Sequence, residues 1–205
     1  MEQAFDRNGQ AYFDFLHRMG YGKPDSLASV QGLKPADIVI PADKEWETNT
    51  LAWESIGYEQ AIAPIQLLTF YNAVANGGKI VRPTLYEDST TVILPQIAAR
   101  ASIDSLQRAM LLNVSEGLGR SAASEKVQVA GLQGSIDLTT NEEYPKGIRK
   151  YAVEFCGYFP ADTPKYTVII SMSKENLPAS GGLMAGGLFK KIVELIALKH
   201  YPTCT

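Results

Sequence analysis

YAVEFCGYFPADTPKYTVIISM, residues Tyr151–Met172, is the stretch on which the fold turns. Two runs rich in β-branched and aromatic side chains, Tyr151–Phe159 and Tyr166–Met172, flank turn-forming residues from Pro160 to Pro164. That is the pattern of a strand, a turn and a second strand. Upstream, VQVAGLQGSI (Val127–Ile136) has strand character too, and Asn141–Gly147 supplies the turn that follows it. Three sequential strands separated by turns predict an antiparallel meander.

Helical patterns lie on either side of these strands. LFKKIVELIALKHY (Leu188–Tyr201) places Leu188, Ile192, Leu195 and Ile196 on one stripe and predicts a final helix packed on the sheet. PIQLLTFYNAVANGG (Pro64–Gly78) begins with proline and ends in glycine, with Ile65, Leu67, Leu68, Tyr71, Val74 and Ala75 around one face. A further helix is expected over Ile103–Leu118, with Ser102 as N-cap and Leu106, Met110, Leu111 and Val114 on its apolar side. Phe5, Tyr12, Phe13, Phe15, Leu16 and Met19 recur at spacings near three and four, predicting an amphipathic helix from Gln3 to Met19 that ends at Gly20. From Gly22 to Asn49 the composition is that of a long, mostly irregular connection with one apolar piece at Ile38–Ile40. The expected fold class is α+β, an antiparallel sheet covered by helices, in a single domain over residues 1–205.

Composition narrows the function classes. The chain has 205 residues, enough to bury a core without staples, with 45% hydrophobic and 20% charged residues and a net charge of −3. Its Lys and Arg residues are scattered, so no nucleic-acid surface is expected. Apolar runs such as Thr91–Pro95 and Val168–Ser171 fall far short of the roughly 20 residues that span a bilayer. MEQAFDRNGQAYFDFLHRM at the start carries acids and amides rather than a basic segment and an apolar block, so it does not read as a signal peptide. Cys156 and Cys204 show no metal-ligand spacing and His17 and His200 lie at opposite ends, so neither a metal site nor a cofactor is expected. Cys156 reads as a small buried hydrophobe in a strand.

Three stretches together resemble the transpeptidase domain of class B penicillin-binding proteins, serine enzymes that cross-link peptidoglycan and are acylated by β-lactams. In SIGYEQAIAPIQLLTFYNAVANGGKIVRP (Ser55–Pro83), Pro64, Gln66, Tyr71, Ala75, Asn76, Gly77, Gly78, Arg82 and Pro83 fit the family's pattern. FCGYFPADTPKYTVIISM (Phe155–Met172) resembles its Phe-Pro-Ala turn and the strand after it. MAGGLFKKIVELI (Met184–Ile196) resembles the start of its last helix, with Gly187 at the place of a proline. The resemblance runs from Ser55 to the end, and the strands correspond to the last three of the family's sheet.

The family's chemistry requires a serine nucleophile one helical turn from a lysine, a second serine near an asparagine, and a lysine–threonine–glycine strand that binds the substrate carboxylate. VAGLQGSI (Val129–Ile136) resembles that strand, but Leu132 replaces the lysine and Gln133 the threonine, while Gly134 persists and Ser135 is a mild replacement. A leucine offers no charge, and losing a charge-assisted contact costs about 1.5–3 kcal/mol of binding. Lys126 and Lys150 are the cations close enough in sequence to be considered as substitutes. Gly134 permits close approach of a backbone and reads at least as well as a packing glycine. The one Ser-x-x-Lys, Ser171–Lys174, sits on a predicted strand, where residues three apart face opposite sides. Thr139–Asn141 reads as a turn.

By the resemblance, the serine-bearing helix precedes the region where this sequence starts. These residues are therefore expected to carry no catalytic group, and an apolar surface is expected to be covered by a repacked N-terminal helix or a homodimer. The implied role is a catalytically inactive, penicillin-binding-protein-like module of peptidoglycan biogenesis. Gln133, Gly134 and Ser135 would line its vestigial groove, and peptidoglycan stem peptide or cell-envelope proteins would be its partners. Two alternatives stay open: a piece of an active D,D-transpeptidase whose nucleophile lies upstream or on a partner chain, and a soluble domain with no cell-wall role. Its compartment follows, extracytoplasmic if the residues belong to a longer anchored chain and cytoplasmic otherwise.

Overall fold

The computed structural model describes residues 9–19, 37–38, 49–58, 60–85, 90–139, 148–176 and 178–200. They form an α+β fold in two compact units, residues 1–70 with 80–97, and residues 71–79 with 98–205.

In the first unit, α1 (Gly9–Arg18) places Tyr12 and Leu16 in a small core with Leu51 of α2 (Thr50–Glu54). Phe13, Phe15, Met19, Ile62 and Phe70 pack around them. Burial, and then the neighbouring Glu54 carboxylate, pushes the Tyr12 hydroxyl above its ordinary value. Two short antiparallel pairs, which the sequence pattern does not announce, complete the unit. β1 (Asp37–Ile38) pairs with β2 (Gln60–Ala61), and β3 (Ile80–Val81) with β4 (Val92–Leu94). The predicted helix residues before Gly9, and most of the Gly22–Asn49 connection, lie outside the described residues.

The helix α3 (Pro64–Ala75) has the predicted start and finish. Its end belongs to the second unit, where Gly77 and Gly78 adopt φ of +75° and +102°. This left-handed turn lets the Gly78 N–H reach the Ala73 carbonyl at 2.7 Å, satisfying a carbonyl that the helix leaves open. Gln107 of α4 (Arg100–Ser115) donates to the Val74 carbonyl at 2.7 Å and fastens the two helices together. The start of α4 corrects the sequence reading. Ala99 occupies the N-cap, Ser102 lies inside the helix, and the helix stops at Ser115 rather than Leu118. Met110 and Val114 are buried as expected, Ile103 joins them, and Leu106 and Leu111 are half-buried.

The meander is present as a three-stranded antiparallel sheet in the order β5 (Ala130–Asp137), β6 (Lys150–Phe159), β7 (Tyr166–Glu175). Ala130 pairs with Tyr158 and Asp137 with Tyr151, while Lys150–Phe159 pairs without a break with Tyr166–Glu175. Helix α5 (Gly186–His200) follows a π-helical turn, Gly181–Ala185, and packs on the sheet. Its buried face differs from the expected stripe. Phe189, Val193 and Ala197 point inward, Ile192 and Ile196 are half-buried, and Leu188 and Leu195 are exposed. The reason is Phe189, whose ring centroid lies 4.8 Å from that of Phe155 and 6.2 Å from that of Phe159. Seating one large ring between two others rotates the helix about its axis and turns the two leucines outward.

Cys156, opposite Leu132 in the β5–β6 pair, is buried as the sequence suggests. Burial, and then the Glu154 carboxylate, pushes its thiol far above the ordinary value. The thiolate is the reactive form. In a Cys204→Ser variant at pH 8, Cys156 is therefore expected to resist a disulfide reagent such as DTNB until denaturant is added. Rapid labelling of the native protein would contradict its burial.

Candidate functional site

A groove of about 480 Å³ lies in the second unit, lined by Gly117, Leu118, Arg120, Ser121, Gln133, Gly134, Ser135 and residues 179–183. Three separate segments build it: the turn after α4, the middle of β5, and the stretch leading into the π-helical turn. Gln133, Gly134 and Ser135, singled out from sequence, are thus brought together on one wall.

Glycines allow the three segments to meet. A Cβ on Gly181 would lie 2.2 Å from the Gly134 carbonyl oxygen and 2.5 Å from that of Glu154, and one on Gly182 would lie 2.4 Å from the Leu118 carbonyl oxygen. The turn therefore rests directly on the backbones of β5 and β6, a distance no side chain permits. Gly119 lies against the Asn113 side chain instead, its Cβ position 2.6 Å from Asn113 Nδ2. Gly134 is different: a Cβ there would meet nothing within 4 Å, so its reading as a packing glycine is overturned. The close approach in this region is made by Gly181 against the Gly134 carbonyl.

Polar contacts then fix the wall. Asn113 Nδ2 donates to the Gly131 carbonyl at 2.8 Å and to Gln133 Oε1 at 2.9 Å, joining α4 to β5. Ser135 Oγ accepts the Gly181 N–H at 2.8 Å, and Ser180 Oγ accepts that of Leu183 at 3.2 Å. Leu132 is half-buried and does not line the groove.

Neither lysine considered as a substitute cation lines the groove. Lys150 starts β6, pairing with Glu175, three residues before Val153, the partner of Ser135, and it is not in the lining. Lys126 is exposed ahead of β5. The cation in the lining is Arg120, in the 3-10 turn Arg120–Ala122, which sequence reasoning did not single out. Asn113, Ser180, Gly181 and Gly182 were missed as well, although Gly117-Leu118-Gly119 after a helix and the Ser180-Gly181-Gly182 run were available as signals of close backbone approach. The formal Ser171–Lys174 pair is on β7, where Ser171 Oγ donates to Glu154 Oε1 at 2.7 Å across the sheet. Thr139 follows β5 in a turn and donates its N–H to Asp137 Oδ1 at 2.9 Å, while Thr140 and Asn141 lie outside the described residues.

The sequence pattern described as "Penicillin binding protein transpeptidase domain" matches residues 1–194. The chain belongs to that family. Its membership reaches the first helix and the connection after it, ahead of Ser55 where the sequence resemblance starts. Among relatives of this transpeptidase family, the chain is 26% identical to penicillin-binding protein PbpB of Mycolicibacterium smegmatis, over 93% of this chain and 32% of that protein. It is 30% identical to the "Probable peptidoglycan D,D-transpeptidase PbpC" of Pseudomonas aeruginosa, over 87% of this chain and 31% of that protein. The chain thus spans about a third of the length of these relatives. The transpeptidase domain of penicillin-binding protein 3 from Burkholderia pseudomallei, solved without ligand, shares the fold. Its TM-score is 0.75 at 22% identity, over 97% of this chain and 60% of that one. Among the described residues, no helix of this family member is long and apolar enough to cross a membrane.

Proposed function

We propose that this chain serves peptidoglycan biogenesis outside the cytoplasm as a binding or assembly element, without acyl-transfer chemistry of its own at β5. The observation that carries this reading is the groove beside Gln133, Gly134 and Ser135, open at about 480 Å³ while Leu132 stands where the family's strand has its cation. That volume falls within the range of small-molecule sites, roughly 300–1,000 Å³, which favours retained binding over a domain whose pocket has been filled. Against catalysis, Leu132 can neither carry charge nor relay a proton, and Gln133 Oε1 is already engaged by Asn113. Stem peptide of peptidoglycan is the ligand the family relationship suggests, and other cell-envelope proteins are candidate partners.

Incubating the full-length gene product with a fluorescent penicillin tests the loss of chemistry. The expected result is no labelling above background under conditions in which an active family member is labelled completely. Stoichiometric attachment to a serine would overturn the reading. Saturable binding of a soluble stem peptide is expected alongside, and a flat titration would remove the binding role.

A further inference from the structure

The groove has a polarity that goes beyond having lost a lysine. Among the described residues lining it, Arg120 is the one with a charged side chain, and no carboxylate is present. The hydrogen bonds of the wall also leave donors uppermost. Asn113 presents one amide atom to both the Gly131 carbonyl and the Gln133 side chain. A carbonyl only accepts, so that atom is the nitrogen, and the Gln133 atom facing it must be the oxygen. The Gln133 Nε2, with its two protons, is then the end left for the groove. Ser135 Oγ and Ser180 Oγ each accept a backbone N–H, from Gly181 and Leu183, and each keeps its hydroxyl proton to give.

One cation and several donors, with no acid in the lining, match a carboxylate. The flanks add a second requirement. Leu118 and Leu183, both lining the groove, are 82% and 69% exposed and so leave apolar surface at its edge. A ligand with an apolar group beside its carboxylate would cover both.

We propose that Arg120 is the anion anchor of this groove. It pairs with the carboxylate of an N-acylated amino acid or peptide, the Gln133 amide supplies a neutral second donor, and the ligand's apolar terminal side chain rests on Leu118 and Leu183. The positive charge thereby comes from the 3-10 turn after α4 rather than from β5. This rests on the reading of the groove as a binding site, and it adds the residue that selects the ligand.

The test is a titration of the isotope-labelled full-length protein, followed by NMR, with N-acetylleucine, its amide and a soluble peptidoglycan stem peptide. Wild type, Arg120→Gln and Arg120→Lys are compared, with thermal melts to verify folding; the Arg120 side chain is exposed, so both variants should fold. N-acetylleucine is expected to bind wild type roughly ten- to hundredfold more tightly than its amide, the size of one charge-assisted hydrogen bond. Arg120→Gln should erase that preference and Arg120→Lys should keep part of it, with the Gln133 side-chain amide signal moving on binding. The proposal fails if acid and amide bind wild type alike, if neither acid binds, or if Arg120→Gln leaves the preference intact. Binding of N-acetylleucine through Arg120 with none of the stem peptide would support the anchor and sink the peptidoglycan role. Stem-peptide binding untouched by Arg120→Gln would sink the anchor and leave that role standing.

Discussion

Replacing Phe155 with alanine is expected to lower the unfolding free energy by about 3–5 kcal/mol. Phe155 is fully buried on the central strand β6, and its ring packs at a tilt against Phe189 of α5 with centroids 4.8 Å apart. Its ring edge lies 2.7 Å from where a Cβ would stand on Gly131 and 3.2 Å from that position on Gly157, so it fills the space two facing glycines leave open. Those glycines have no side chains with which to close the cavity, which puts the cost at the high end for such a truncation. Against the roughly 5–15 kcal/mol that holds a typical domain together, this leaves the second unit marginal. Urea unfolding followed by circular dichroism should show the midpoint falling steeply, with Phe155→Leu recovering much of it. An unchanged midpoint would mean that this ring is not the core's keystone.

Gly181→Ala is expected to cost about 3 kcal/mol and to abolish ligand binding in the groove. The added methyl would stand 2.2 Å from one backbone carbonyl and 2.5 Å from another, with no flexible side chain able to yield. The π-helical turn would have to lift off β5 and β6, breaking the Gly181 N–H bond to Ser135 Oγ and opening one wall. Gly134→Ala is the matching control, because a methyl there meets nothing and the loss of backbone freedom in the unfolded chain is slightly stabilising, by up to about 1 kcal/mol. Thermal melts of the two variants should diverge clearly. Equal stability for both would refute the close seating of the turn on the sheet.

That pair of glycines also shows how far sequence reading carries. Gly134 drew attention because it persists in a pattern shared with a family, yet the space on its Cβ side is empty and only its carbonyl is closely approached, by Gly181. Gly181 drew none, yet the wall depends on it. The Gly181-Gly182 tandem is a weak local hint, and the deciding difference lies in what crosses over the two glycines from elsewhere in the chain. Arg120 follows the same logic. It is unremarkable in its local sequence and becomes the groove's cation only because α4 ends where β5 passes.

Helix α5 marks the boundary more finely. Its existence and its contact with the sheet follow from apolar residues spaced at three and four, because that periodicity is a property of the helix itself. Which apolar residues face inward depends on the partner. Phe189 takes the seat between Phe155 and Phe159, and Leu188 and Leu195 are left outside.

By itself the sequence determined the kind of each major element, the α+β class, the order of strands and helices, the family, and the absence of a lysine at Leu132. All of these are written in local spacing or in residue identity. Only the tertiary structure decided that an open groove remains, that residues 117–121, 133–135 and 179–183 share it, and that Arg120 supplies its charge. The physical reason is separation along the chain. Residues from 12 to 66 positions apart meet through packing of glycine backbones and burial of aromatic rings, and neither constraint leaves a period that tells which segments will meet.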